Sequence, residues 1–465
     1  MRIACLLLAV FVAHANARGT DDLPPAPVSI SANEYAVDLM QLYRESRLED
    51  PRVLAAYARA QSGAERQREA FGGLLPQVTA SGSFNRTNRD VQTYTESFNN
   101  ERYALGLSQH LYNKAAWENY QKFKKLARQG EFEAADAQAE ATVDLAHRYF
   151  VALASDDELE LILAERRATQ KNLDRVNALY ERKMAMITDV LDLQARVDAL
   201  AAHEVEARNQ VRLSREELSE IVGRPVEERL SRIREDVELQ VPGEAISRWI
   251  ERALVANPAL KAQESALAAA DAAVRESRGA HYPALSLNLS AQRSDVGYDN
   301  TLAPRSDSYV ASVGVQIPIY SGGSASARVR ALHSDRLATE QHMEAVRRQV
   351  VKETTTAYLT AQSSVERIRA SRNALDSAEK SSVAAERGFQ YGVVNSVDVL
   401  TSVQNEYKAR RDLLKAQYDF VTNLLVLNRW AGGLSEQSVA SVNVWLASSE
   451  AARALEEKQR NEHDH

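Results

Sequence analysis

The chain states one plan twice, at a separation of about 208 residues. Asp50-Pro51 returns as Asn257-Pro258, Leu75-Pro76 as Tyr282-Pro283 and Tyr112 as Tyr320. Further on, Asp189-Val190-Leu191 returns as Asp398-Val399-Leu400, and Gly223 as Gly432. The five offsets all fall between 207 and 209, so almost no net insertion separates the anchors. A chance recurrence of one short motif would not keep a common offset over that span. The unit is also far longer than a solenoid repeat. Each copy must be a whole arrangement of elements, and the 465 residues form two pseudo-equivalent halves rather than a string of unrelated domains.

Within each copy the order reads helix, strand, strand, very long helix, turn, helix. The first helix is expected over 34–71 and its counterpart over 244–279, each stopping ahead of a proline. Strict alternation follows. Val78, Ala80, Gly82 and Phe84 share one face, as do Tyr103, Leu105, Leu107, Gln109 and Leu111. In the second copy the apolar sets are Leu285, Leu287, Leu289 and Ala291, then Tyr309, Ala311, Val313, Val315, Ile317 and Ile319, with Val310 as the exception among the polar partners. Period-2 patterning over about ten residues marks strands that are apolar on one side and wet on the other. It also suits a tilted membrane-barrel strand of about 9–11 residues. The strands are placed at about 76–91, 102–113, 283–296 and 308–320. Tyr103 and Tyr112, Tyr282 and Tyr298, and Tyr309 and Tyr320 mark their ends, as an aromatic girdle would; a soluble sandwich with packed rim tyrosines is the alternative. The polar stretches Asn85–Asn100 and Arg293–Asp307 read as exposed outer loops.

From Lys114 to about Tyr180 there is no proline and one glycine, Gly130; Ser324 to Arg387 has neither. A helix of that length extends on the order of 100 Å and must lean on partners along its course. The last helix carries two apolar stripes. One runs Val397, Leu400, Tyr407, Leu414, Tyr418, Val421 and Leu425, interrupted by Gln404 and Arg411; the other runs Leu413, Ala416, Phe420, Leu424 and Leu427. Two stripes imply two neighbours.

Composition closes off several function classes. The formal net charge of −7 gives no basic excess for nucleic acid. Met1-Arg2-Ile3, the apolar run Cys5–Ala13 and Ala15-Asn16-Ala17 read as a secretory signal peptide over 1–17, against the alternative of a buried N-terminal helix. The only cysteine, Cys5, lies inside it, so no disulfide or thiolate metal site is expected in the mature chain. Beyond it no run of 18 apolar residues occurs, and any membrane crossing must use strands. No catalytic constellation, cofactor motif or nucleotide loop is present, so the chain is read as no enzyme. Gly322-Gly323-Ser324 lacks a phosphate-loop lysine, and His463 and His465 read as part of a charged tail.

Four barrel strands cannot close, and lipid does not tolerate an open edge. Copies must pool strands, and two, three or four chains would each give a permitted even number. The motifs Leu74-Leu75-Pro76 and His281-Tyr282-Pro283, the strand close Val315-Gln316-Ile317-Pro318-Ile319-Tyr320-Ser321-Gly322-Gly323 and the turn running from Arg387-Gly388-Phe389-Gln390-Tyr391-Gly392 to Asp398-Val399-Leu400 resemble the TolC family of outer-membrane efflux proteins over essentially the whole mature length. The resemblance implies an α+β membrane protein: a homotrimeric 12-stranded outer-membrane β-barrel continuous with a long α-helical coiled-coil periplasmic barrel. The domains would be a first repeat (18–223), an inter-repeat equatorial segment (224–243), a second repeat (244–433) and an equatorial segment with tail (434–465). It implies an exit duct for efflux or type I secretion, in the outer membrane and reaching into the periplasm, partnered by a periplasmic adaptor and an inner-membrane pump of resistance-nodulation-division or ABC type. A structural periplasmic coiled-coil protein without channel activity is the alternative.

The resemblance also places residues. Asp398 matches the acid that rings the closed periplasmic entrance, while Thr401 and Val394 stand where the family has a second acid and a tip arginine. Gly392, Val393 and Val394, with Met184, Ala185, Met186 and Thr188, fall at the tips that meet the adaptor. From the residues alone, Gly392 suits a left-handed turn, and its counterpart is Lys183. Ser396 and Asp398, or Thr188 and Asp189, suit helix caps; capping is the alternative role for Asp398.

Overall fold

The computed structural model describes residues 36–234, 237, 239–240, 243–296 and 305–446. The proposed signal peptide, Tyr298 and the charged tail lie outside the described residues. Helices α1 (Leu39–Glu49) and α2 (Pro51–Gly72) lead into strands β1 (Gln77–Val91) and β2 (Tyr94–Tyr112), and the first repeat ends in α3 (Lys114–Glu181) and α4 (Ile187–Val222). The second repeat follows as α5 (Ile246–Ala256), α6 (Pro258–Gly279), β3 (Ala284–Val296), β4 (Ser306–Gln316), α7 (Ser324–Gln390) and α8 (Ser396–Trp430), with a short α9 (Glu436–Asn443) after it.

The opening helix of each repeat is two helices, not one. Asp50 and Asn257 take extended backbone, their side chains accept from the amides of Arg52 and Leu260, and a proline starts the next helix. A buried N-cap with proline at the first helical position stops one helix and starts another within a single residue. The polar segments expected as outer loops are partly paired. The β1–β2 ladder runs to Val91↔Tyr94, and β3 holds β4 as far as Ser294↔Ser306. Backbone pairing needs no apolar face, and Thr87, Tyr94, Thr95 and Phe98 favour extended structure. At its other end β4 stops at Gln316, because Pro318 has no amide to offer a ladder.

The long helices lean on partners as a span of about 100 Å requires. In the half nearest the sheet the neighbours run α2–α3–α6–α7; in the half nearest the turns they run α4–α3–α8–α7. The two stripes of α8 thus meet α7 on one side and α3 on the other. Arg411, which interrupts the first stripe, pairs with Glu158 of α3 at 3.3 Å. Midway along the bundle lies the largest apolar cluster. Leu39 and Leu42 of α1, Tyr149 and Leu153 of α3, Leu218 of α4 and Phe420 of α8 are fully or almost fully buried there, with Val439 and Val442 of α9. Single bridges Val37↔Leu230 and Ile233↔Leu446 draw in the chain between and after the repeats. The hydroxyl of Tyr149 donates to the carbonyl of Ser231 at 2.8 Å. In the same belt Tyr418 donates to Asp157, which also pairs with Arg232 at 2.7 Å. Burial pushes the Asp157 carboxyl and the Tyr418 hydroxyl upward, and Arg232 opposes both shifts.

Candidate functional site

Two ends of the molecule carry function-bearing geometry: the sheet and the helical tip. The sheet has the order β1-β2-β3-β4, antiparallel throughout. Its register sorts the alternation into two faces, with Gln109 as the exception on the apolar one and Val310 on the polar one. Val78, Leu107, Leu289 and Ala311 stand in one row, Ala80, Leu105, Ala291 and Tyr309 in the next, and Leu287 and Val313 face each other below. The other face aligns Gln77, Ser108, Asn288 and Ser312, then Thr79, Gly106, Ser290 and Val310. A bulge between His110 and Tyr112 brings Tyr112, rather than Leu111, opposite Leu285. Among the described residues no helix covers the apolar face: Val313 is 62% and Tyr309 81% exposed. A soluble protein would not leave so wide an apolar surface bare. Among the described residues no helix is long and apolar enough to cross a membrane.

The band has aromatic borders. Tyr112 lies at its inner end, with Tyr282 and Tyr320 just past the ends of β3 and β4; Tyr309 and Tyr103 lie at its outer end. At the level of Tyr103 charged pairs begin: Arg293, its register partner, meets Asp307 through two bonds of 2.7 and 2.9 Å, and farther out Arg305 meets Asp295 at 3.1 Å. A further set escaped the strand pattern. Trp117, 48% exposed, packs on Tyr120, which meets Phe71 at 5.4 Å between ring centres. These rings sit on α2 and α3 just inward of Tyr112; an indole five residues after the strand-closing tyrosine was the available signal.

At the far end, both helical hairpins turn in the same way. Lys183 has φ 61° and Gly392 φ 73°. Met184 N donates to the carbonyl of Leu179, and Val393 N to that of Gly388, the six-to-one bond of a Schellman turn. Lysine therefore adopts a backbone that suits glycine, and the two tips share a shape. Lys183→Gly is expected to stabilise the first tip by roughly 1 kcal/mol, read as slower amide exchange over 184–190.

The caps differ from expectation. Asn395, not Ser396 or Asp398, caps α8, its side chain accepting from Asp398 N at 2.7 Å. Asp189 reaches back to Met186 N at 3.2 Å, and its other oxygen accepts from the Ser396 hydroxyl at 2.9 Å. One hairpin is thereby tied to the other, and Phe389 packs into the apolar clusters of both. Asp398 sits in the first turn of α8 with its carboxylate exposed and without a partner among the described residues. Of the tip residues, Met184, Met186, Thr188, Gly392 and Val393 are exposed, while Ala185 and Val394 turn into the hairpin clusters. Ile187, Leu191 and Tyr391 extend the exposed apolar surface beyond the residues singled out by sequence. Among the described residues no group of acidic, histidine or cysteine side chains could hold a metal ion.

A family model described as outer membrane efflux protein matches residues 42–224 and 249–433, one match for each repeat. The chain belongs to the outer membrane efflux protein family. Outer membrane protein TolC of Vibrio cholerae is 29% identical over 423 residues, which cover 90% of this chain and 96% of TolC. The alkaline protease secretion protein AprF of Pseudomonas aeruginosa is 28% identical over 428 residues, covering 90% of this chain and 89% of AprF. Among solved structures, CusC superposes with a TM-score of 0.75 at 17% identity, covering 86% of this chain and 94% of CusC. The open-state MtrE channel of Neisseria gonorrhoeae gives 0.72 at 16%, with 88% and 94% covered. These likenesses establish a shared fold. This family member is an outer-membrane protein whose helical part extends into the periplasm.

Proposed function

We propose that three copies of this chain form an outer-membrane exit duct, with twelve strands closing a barrel and the helices continuing as a periplasmic tube. The observation that carries the reading is a matched pair of open seams. Strands β1 and β4 each pair on one side only among the described residues, and they are the first and last of the sheet. Helix α2 leads into β1 and α7 leads out of β4, and these are also the first and last of the helical row α2–α3–α6–α7. The free strand edges therefore stand above free helix flanks. A neighbouring copy offering β1, α2 and α4 to β4 and α7 would satisfy both layers at once, as a head-to-tail ring requires. Twelve strands also give twelve helices in each half of the tube. A structural coiled-coil protein without channel activity leaves the bare apolar face and its tyrosine borders without a purpose.

The exposed tips suit a periplasmic adaptor, and the absence of a nucleotide site assigns driving energy to an inner-membrane pump. The family description names efflux and the name of AprF names protease secretion, so either cargo class fits the duct. The free carboxylate of Asp398 suits a ring of three like charges at the periplasmic entrance, which would favour cations. The experiment is to purify the chain in detergent, count its subunits and record conductance in planar bilayers. A trimer with cation-preferring conductance is expected, and Asp398→Ala should abolish most of that preference. A monomer that never inserts would end the duct reading, whereas an unchanged ion preference would end the gate assignment alone.

A further inference from the structure

The outward end of the sheet carries three arginines near one height, and their surroundings differ. Arg293, in register with Tyr103 at the border of the apolar band, and Arg305 farther out are neutralised by Asp307 and Asp295. Arg102 is on the polar face. Its register partners are Ser83 on β1 and Ser294 on β3, and Ser306 continues the row on β4. It is exposed and forms no ion pair among the described residues. From the level of His110 out to the level of Thr87, the polar face otherwise presents small and amide side chains with a few apolar ones, and Arg102 is its one permanent charge among the described residues. The next charged position outward, Arg89, stands in register with Glu96.

In the three-chain duct proposed above, on which this step rests, the polar face lines the lumen and Arg102 occurs three times at one height. Twelve strands about 4.8 Å apart and tilted by about 40° make a barrel roughly 24 Å across. Arginine reach then leaves the three guanidinium groups on the order of 10 Å apart, close to the Debye length of about 8 Å at physiological salt. A water-filled lumen inside a low-dielectric wall focuses such a field. The planar fork of arginine suits phosphate-like oxygens. We infer that Arg102 forms an anion-binding collar near the outer mouth of the duct, taking compact multivalent oxyanions that approach from outside. The collar has the opposite sign to the Asp398 ring and lies at the opposite end of the tube, so the two can be removed independently.

The test uses full-length channels in planar bilayers at low salt, with inorganic tripolyphosphate added on the side of the extracellular mouths. Wild type should show a current block that weakens at high salt. Arg102→Gln should require at least tenfold more tripolyphosphate, Arg102→Lys should fall between the two, and Asp398→Ala should be blocked like wild type. Equal block of Arg102→Gln and wild type would overturn the collar while leaving the duct intact. A wild-type chain that forms no channel would remove the duct, and the collar with it.

Discussion

Val313→Arg is expected to abolish assembly in the outer membrane, whereas Ser312→Arg, one residue away, should assemble. Val313 lies midway along β4 on the apolar face, opposite Leu287. An arginine facing lipid at mid-depth costs about 2–4 kcal/mol in a membrane barrel. In the proposed three-chain duct the cost falls three times, so the total approaches the marginal stability of a whole fold. Ser312 points to the face aligned with Asn288 and Ser108, which the duct reading gives to water. The check is the yield of trimer in the outer-membrane fraction for the two variants side by side. Equal losses would mean that the faces have been assigned to lipid and lumen wrongly, or that neither meets lipid.

Gly432→Ala is the second large effect. Gly432 follows the end of α8 with φ +70°, and a methyl group there would lie 2.4 Å from the carbonyl carbon of Ala256 and 2.6 Å from the amide nitrogen of Asn257. Both atoms are backbone at the α5–α6 break. Asn257 holds that break in place, donating from its amide to the Trp430 carbonyl at 3.0 Å. The left-handed backbone costs alanine about 1–2 kcal/mol, and forcing backbone apart adds roughly 1–3 more. The equivalent Gly223 supplies the control. Its φ is +79°, but a methyl group there meets only the Glu49 side chain, at 3.0 Å and beyond. Thermal unfolding followed by the helical signal should show Gly432→Ala falling well below Gly223→Ala. Equal shifts would mean that backbone strain alone decides both sites.

Much of this was legible in the sequence because the deciding signals are periodic. The duplication, the alternating strands and the proline-free helices each repeat over many residues, so single exceptions such as Val310 or Arg411 do not erase them. What escaped was set by one residue or by contact at long range. The break at Asp50-Pro51 depends on one buried cap, and helical patterning on both sides hides it. The pairing of Asn85–Asn100 rests on backbone groups that composition does not report. The bond from Ser396 to Asp189 joins positions 207 apart, and nothing local distinguishes it from an ordinary helix cap. Asp398 could be read as gate or cap from sequence; the Asn395 side chain occupies the cap role and leaves that carboxylate free.

The bond between Ser396 and Asp189, with Phe389 wedged into both clusters, has a mechanical meaning. The paired hairpins of a subunit are latched to each other, so one carries the other while that bond holds. In the three-chain duct proposed above, an aperture built from three such latched pairs would dilate as a triangle whose corners lie between subunits, not as a six-bladed iris, and the widest cargo it admitted would be fixed by how far neighbouring pairs part.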